Sequence, residues 1–167
     1  MGIRKEPAST GARGNITPFC SSSDVLSNMF PCALFNGVDF YNCSEQMYQH
    51  TKAVFYENFK LGEKILQSLN GYAAKRLAKG LHSPTRQKLW FKKNRQIMAS
   101  IIRLKVKQNA HVRAFLQTSA HSQLIEANPW DYYWSAGKSK RELQRSLSFT
   151  GHNYLGKIYM QVRDEHF

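Results

Sequence analysis

Acids, cysteines and long apolar runs are all scarce in this chain. Only 11 Asp and Glu face 24 Lys and Arg in 167 residues, a formal net charge of +13. An excess of that sign draws polyanions, and nucleic acids and nucleotide phosphates are the usual ones; a solvated basic surface serving solubility is the plain alternative. With so few acids, a carboxylate among apolar or aromatic neighbours needs a reason to be there. The three cysteines, Cys20, Cys32 and Cys43, form no Cys-x-x-Cys pair and are odd in number. That argues against a disulfide framework and a cysteine zinc site, and three free thiols fit a reducing compartment. No run is apolar enough to span a membrane, and the N-terminus lacks the apolar core of a signal peptide. Met1-Gly2 opens like a myristoylation site, but Glu6 stands where Ser or Thr is wanted. The expectation is a soluble, cytoplasmic protein with no membrane partner. Also missing are a glycine-rich phosphate loop of the usual kinds, a His-Glu-x-x-His motif and a Gly-x-Ser-x-Gly elbow. The six histidines are scattered without metal-ligand spacing. Protease, kinase and zinc chemistry therefore find no support, and neither metal nor cofactor is expected.

The length suits one domain with one core, and 13% aromatic residues argue against disorder. Residues 1–15, rich in Pro, Ser, Thr, Arg and Gly, read as a mobile tail, and 16–167 as the domain. Asn36-Gly37, flanked by apolar residues, predicts a hairpin over 32–41. Asn42 with Glu45 three residues on predicts a helix start, running to about Glu57 or Asn58. Short helices are expected near 60–69 and 71–79. Ser83-Pro84 opens the longest helix, to about Lys107. Its apolar stripe is Ile97, Met98, Ile101, Ile102 and Leu104; Arg86, Lys88, Lys92, Lys93, Arg95 and Arg103 form its basic side. A helix over 110–118, a strand over Gln123–Ala127, a helix from Ser139 to Ser146 and a closing helix from Asn153 to about Asp164 follow. The last of these turns Leu155, Ile158, Tyr159 and Val162 inward. Mostly helices with a small sheet make an α+β domain.

The residues with chemical interest are carboxylates in unusual company. Glu45 opens its helix, where free N–H groups suit a phosphate; Gln49 and Lys52 share its face, with Lys52 roughly 10 Å along the axis. Local pattern alone favours a plain capping box for Glu45. Asp131 sits among Trp130, Tyr132, Tyr133 and Trp134, which fits a nucleobase or ribose pocket and equally a structural corner. Glu126 lies in an apolar strand and points either to solvent or into a site. Asn153, in Gly151-His-Asn-Tyr-Leu-Gly156, reads first as a helix cap.

Taken in order, several stretches resemble the NADAR, or YbiA-like, family. They are Leu26-Ser-Asn-Met-Phe-Pro31, Ser44-Glu-Gln-Met-Tyr48 with Lys52-Ala53, Trp90 with Arg95 and Met98, and Lys105-Val-Lys-Gln-Asn109. Further on come Leu116 with Thr118, Leu124-Ile-Glu-Ala127, Asp131 with Trp134 and Gly137, and Gly151, Asn153-Tyr-Leu-Gly156, Met160 and Arg163. The resemblance runs from about residue 17 to the end. The chain departs at Met29, at Ser119 and at Trp134-Ser-Ala-Gly137, where the family tends to Trp-Gly-x-Gly. The resemblance implies an N-glycosidase. Its substrate would be ADP-ribose on guanine bases, free or in nucleic acid, or a ribosylamino-pyrimidine phosphate of riboflavin synthesis; a silent ADP-ribose-binding module is the third reading. Glu45, Lys52 and Asp131 would be the catalytic groups. Trp90 and Trp134 would stack on rings, and Asn28, Gln49, Arg95, Glu126 and Asn153 would bind substrate. Between the substrates, the charge leans to the ADP-ribosylated guanine.

Overall fold

A computed structural model describes residues 14–167. The tail expected over 1–15 lies outside the described residues except for Gly14 and Asn15. A short strand, β1 (Ile16–Phe19), leads into the hairpin β2 (Leu34–Phe35) and β3 (Phe40–Tyr41). At its turn Gly37 has φ +99°, and Asn36 Oδ1 accepts from the N–H groups of Val38 and Asp39 at 2.9 and 2.8 Å. Seven helices and one more strand complete the α+β domain: α1 (Ser44–Phe55), α2 (Phe59–Leu66), α3 (Gly71–Ala78), α4 (Pro84–Gln108), α5 (Ala110–Thr118), β4 (Gln123–Glu126), α6 (Lys140–Arg145) and α7 (Tyr154–His166).

Strand β1 is not predicted by the local sequence pattern. It runs parallel to β4, in the register Ile16↔Gln123 to Phe19↔Glu126. Pro18 breaks the strand signal, yet a two-stranded sheet leaves each strand an open edge where a missing N–H is tolerated. Such a pairing across more than a hundred residues leaves no local trace.

Helix α4 is the spine. Its Trp90, Met98, Ile101, Ile102 and Val106 pack with Leu155, Ile158, Tyr159 and Val162 of α7, and with Phe19, Leu26 and Leu124. The inward face expected for α7 is the one observed. The α4 stripe needs correcting at one end. Leu104 is half-buried, and Lys105 is fully buried in its place. Positions 98, 101, 102, 105 and 106 form the true helical stripe, and a lysine at one of them escapes a reading by hydrophobicity. The Lys105 ammonium donates to the Ser27 carbonyl at 2.8 Å and lies over the rings of Phe30 and Tyr159. Burial pulls its pKa down to about 8.

Beside β4 stands Asn153, in the left-handed region at φ +50°. Its side chain makes no cap bond to α7, contrary to expectation. Instead Oδ1 accepts from Glu126 N–H at 3.0 Å and Nδ2 donates to the Leu124 carbonyl at 3.0 Å. The amide thus serves as a one-residue strand along the edge of β4 that β1 leaves open. Glycine at 156 allows this approach, since a Cβ there would lie 2.2 Å from the Leu124 oxygen.

Asn153→Ala leaves both backbone groups of β4 unpaired. The expected cost is about 2–4 kcal/mol, seen as a lower urea midpoint with unchanged m. A loss below about 0.5 kcal/mol would show that the clip contributes little.

Candidate active site

The site begins with how α1 starts. Cys43, extended at φ −168°, is the N-cap residue, and Asn42 is not. The Asn42 side chain instead donates to the carbonyls of Ser68 and Leu69 at the end of α2, each at 3.0 Å. The back-reaching bond expected of Glu45 is made by Gln46, whose Oε1 accepts from Asn42 N–H at 2.8 Å. One residue of phase decides this: counted from Cys43, the third helical position is Gln46. Glu45 is thereby released from capping. It is buried, its carboxylate accepts from Gln49 Nε2 at 2.8 Å, and its N–H donates to the Asn28 carbonyl at 2.9 Å. Helix α3 closes on it from above, where a Cβ on Gly71 would sit 3.0 Å from Glu45 Cβ.

Glu45 forms part of the wall of a cleft of about 620 Å³, a volume in the range of small-molecule sites. Eight of the ten residues expected at a site line it: Asn28, Glu45, Gln49, Lys52, Trp90, Glu126, Asp131 and Trp134. They come from α1, α4, the 26–31 loop, the end of β4 and the turn after it. Asp131 makes the structural corner and also lines the cleft. Its Oδ1 holds the turn by accepting from Tyr133 and Trp134 N–H at 2.9 and 2.8 Å, while the residue lines the cleft. Trp90 is buried, donating from Nε1 to Tyr48 OH at 3.1 Å, and so builds the floor. Trp134 meets Tyr48 edge-on at 5.7 Å between ring centres.

Arg95 and Asn153 are not at the cleft. Asn153 is occupied by β4, as described. Arg95 lies round α4, its guanidinium 4.6 Å over the Tyr154 ring in a separate groove. Its neighbour in helical phase, Asn94, faces the cleft instead. Lys75 and Tyr72 of α3 also line the cleft and were missed. Nothing in the local pattern of α3 marks them, because only the packing of α3 on α1 brings them to the cleft.

Burial shifts the pKa values of Glu45, Lys52 and Glu126 in the cleft. Burial raises the pKa of Glu45, the neighbouring Asp131 charge adds to that, and Lys75, the Gln49 hydrogen bond and Lys52 oppose it. Glu126 is pushed up to about 8, by burial first and then by the Asp131 and Glu45 charges. Its Oε2 is sealed from solvent although the residue as a whole is half-buried. The Lys52 pKa is lowered by burial, against the pull of Glu45. Three buried acceptors in this cleft, Asn28 Oδ1, Gln49 Oε1 and Glu126 Oε2, lack a partner among the described residues. Each unpaired acceptor costs about 1–3 kcal/mol, a cost that ligand hydroxyl or amine donors relieve.

The NADAR domain family matches residues 17–166. Protein irg-1 of Caenorhabditis elegans is 31% identical over 128 residues, which are 75% of this chain and 60% of the worm protein. A riboflavin biosynthesis protein of Vibrio vulnificus is 28% identical over 140 residues, 84% of this chain and 35% of that one. The chain therefore spans less than two thirds of either relative. N-glycosidase YbiA of Escherichia coli is 29% identical over 122 residues, 73% of this chain and 68% of the enzyme. The NMR structure of E. coli YbiA superposes with TM-score 0.74 at 25% identity, covering 99% of this chain and 92% of that chain.

The Glu126 carboxyl has a testable consequence. Its folded pKa is about 8 against an ordinary value of 4.5, so the native state holds the extra proton between them. The associated stability is full below the lower value and is lost as pH rises through the upper one. Glu126→Gln, neutral throughout, removes that slope. Its melting temperature should exceed that of the unsubstituted protein at about pH 8.5 and approach it at about pH 5. A gap that stays constant with pH would show that Glu126 does not hold the proton.

Proposed function

The chain belongs to the NADAR family, and from that premise we propose that it is an N-glycosidase that removes ADP-ribose from guanine by hydrolysing the ribosyl C–N bond. The observation that carries this reading is the convergence of Glu45, Glu126 and Lys52 in one cleft, with the two carboxylates in unlike surroundings. Breaking the bond leaves positive charge on the ribose and sends the electron pair to the base. One carboxylate, ionised, stabilises the sugar cation and takes a proton from the attacking water. The other, protonated, supplies a proton to the departing base. Glu45, which Lys75 and Lys52 draw toward the ionised form against the effect of burial, is assigned the first task. Glu126, with its pKa near 8, suits the second. Asp131 adds negative charge beside both, and Lys52 and Lys75 offer cations to the substrate phosphates.

Lys52 supports a covalent variant of the same hydrolysis. A lysine whose pKa is lowered by burial is a better nucleophile near neutral pH. Its amine attacks the anomeric carbon as the base leaves with a proton, the ribose opens to an imine, and water releases the sugar and restores the amine. The name of the Vibrio relative favours a second substrate, the ribosylamino-pyrimidine phosphates. A polyphosphate ligand makes the better use of a basic protein, so guanine-linked ADP-ribose is preferred.

Incubation with ADP-ribosylated guanosine and with the ribosylamino-pyrimidine phosphate, with released base measured, decides between the substrates. No turnover of either would leave a binding module. Glu45→Gln should keep affinity for ADP-ribose and lose turnover by about 100-fold or more, since the amide keeps the shape but not the charge. Equal loss of activity and thermal stability would instead make Glu45 a packing residue.

Borohydride added during turnover should trap a sugar adduct on the peptide carrying Lys52, and Lys52→Arg should abolish both adduct and turnover. Near-full activity in Lys52→Arg would exclude attack by this lysine and leave Glu45 to activate water.

A further inference from the structure

The net charge of the molecule originates in one stretch. From Lys64 to Ile125 there are thirteen Lys and Arg and no Asp or Glu, so the remainder carries eleven of each sign (24 − 13 basic, 11 − 0 acidic). Helix α4 lies at the centre of that stretch and has two working faces. Gln87, Phe91 and Asn94 face the cleft. Next to them, Lys92, Arg95 and Arg103 face a second groove, whose opposite wall is Tyr154 and Lys157 of α7. The two concavities share an aromatic partition. Phe91 meets Tyr133 edge-on at 6.1 Å, and Tyr133 packs on Tyr154 at 4.9 Å. Phe91, on the cleft side of this partition, is 52% exposed. Arg95 and Lys157 both sit over the Tyr154 ring, at 4.6 and 5.5 Å. Among the described residues the ion pairs are Arg86–Glu57, Arg103–Glu165, Lys140–Asp24 and Arg163–Asp164. Lys92, Arg95 and Lys157 therefore have no carboxylate partner there.

Uncompensated cations in a groove next to a cleft that presents an exposed ring, Phe91, are a pattern that binds a strand of nucleic acid. The cations follow the phosphates and the ring faces accept a base. We propose that the groove between α4 and α7 carries the sugar-phosphate backbone of a single-stranded nucleic acid, with the modified nucleotide in the adjoining cleft and the neighbouring base on Phe91. A single strand is specified because a base inside a duplex cannot enter a concave site without being turned out of its stack. This assignment rests on the N-glycosidase reading only for what the cleft holds. Strand binding itself is measured without catalysis.

The test titrates the protein with a fluorescent, unmodified single-stranded oligonucleotide and reads anisotropy at several salt concentrations. Three unpaired cations at about 0.7 counterions each give a slope of log affinity against log salt near −2.1, or a loss of about 20-fold between about 50 and about 200 mM salt. The double substitution Lys92→Glu with Lys157→Glu should weaken binding at low salt by about tenfold or more and make the slope shallower by about 1.4. Lys92→Arg with Lys157→Arg should bind like the unsubstituted protein. The double Glu variant should still hydrolyse ADP-ribosylated guanosine at the unsubstituted rate while losing kcat/KM on the modified oligonucleotide. Equal oligonucleotide affinity in the double Glu variant, tighter binding of the duplex than of the single strand, or a flat salt dependence would each overturn the proposal. If the double Glu variant fails to fold, the salt slope and the strand-versus-duplex comparison in the unsubstituted protein decide. Normal strand binding without hydrolysis of any substrate would sink the N-glycosidase reading and leave the groove; hydrolysis of free nucleoside without strand binding would do the reverse.

Discussion

The dry placement of the Glu45 carboxylate at the start of α1 is the constraint on which the rest of the site depends. Taking a carboxylate out of water is costly unless hydrogen bonds and opposite charges answer it. Here Gln49 provides the bond, and Lys75 and Lys52 provide the charge. Gln49 and Lys52 lie on α1 with Glu45, and Lys75 comes from α3. Gly71 lets α3 approach close enough for Lys75 to act on Glu45. The 26–31 loop is held at two successive carbonyls: Ser27 by the buried Lys105 ammonium, and Asn28 by the N–H of Glu45. The buried lysine side chain on α4 and the Glu45 backbone on α1 thus hold one loop, and that loop carries Asn28 into the cleft.

The same helices give the molecule two neighbouring concavities with different electrostatic character. The cleft gathers three of the few acids, and burial raises the pKa values of Glu45 and Glu126. The groove beyond the Tyr133–Tyr154 pair gathers cations. Helical phase on α4 separates them: positions 87, 91 and 94 look one way and 92, 95 and 103 the other. Cations stand in both concavities, Lys52 and Lys75 beside the cleft carboxylates and Lys92, Arg95 and Lys157 in the groove.

Much of this is legible in the sequence. Helix starts at Ser83-Pro84 and Ser139, the Asn36-Gly37 turn and the inward face of α7 are local signals, and local physics carries them through. Errors arose where a residue's local role was displaced by a distant partner. Asn153 has the form of a helix cap but is spent on β4. Glu45 has the spacing of a capping-box acid, yet Cys43 shifts the helix start by one residue and Gln46 takes that bond.

By itself, then, the sequence determined the α+β class, most of the helices, the excess of positive charge and eight of the residues that meet in the cleft. These follow from periodicity, from turn and cap chemistry, and from an ordered set of motifs, all of which are written along the chain. Only the tertiary structure decided that Pro18 lies in a strand, that Lys105 is buried, that Lys75 lines the cleft with Glu45 and that Arg95 belongs to the groove. Each of those depends on a contact between segments far apart in sequence, and on the angle at which one helix lies against another, which no local pattern encodes.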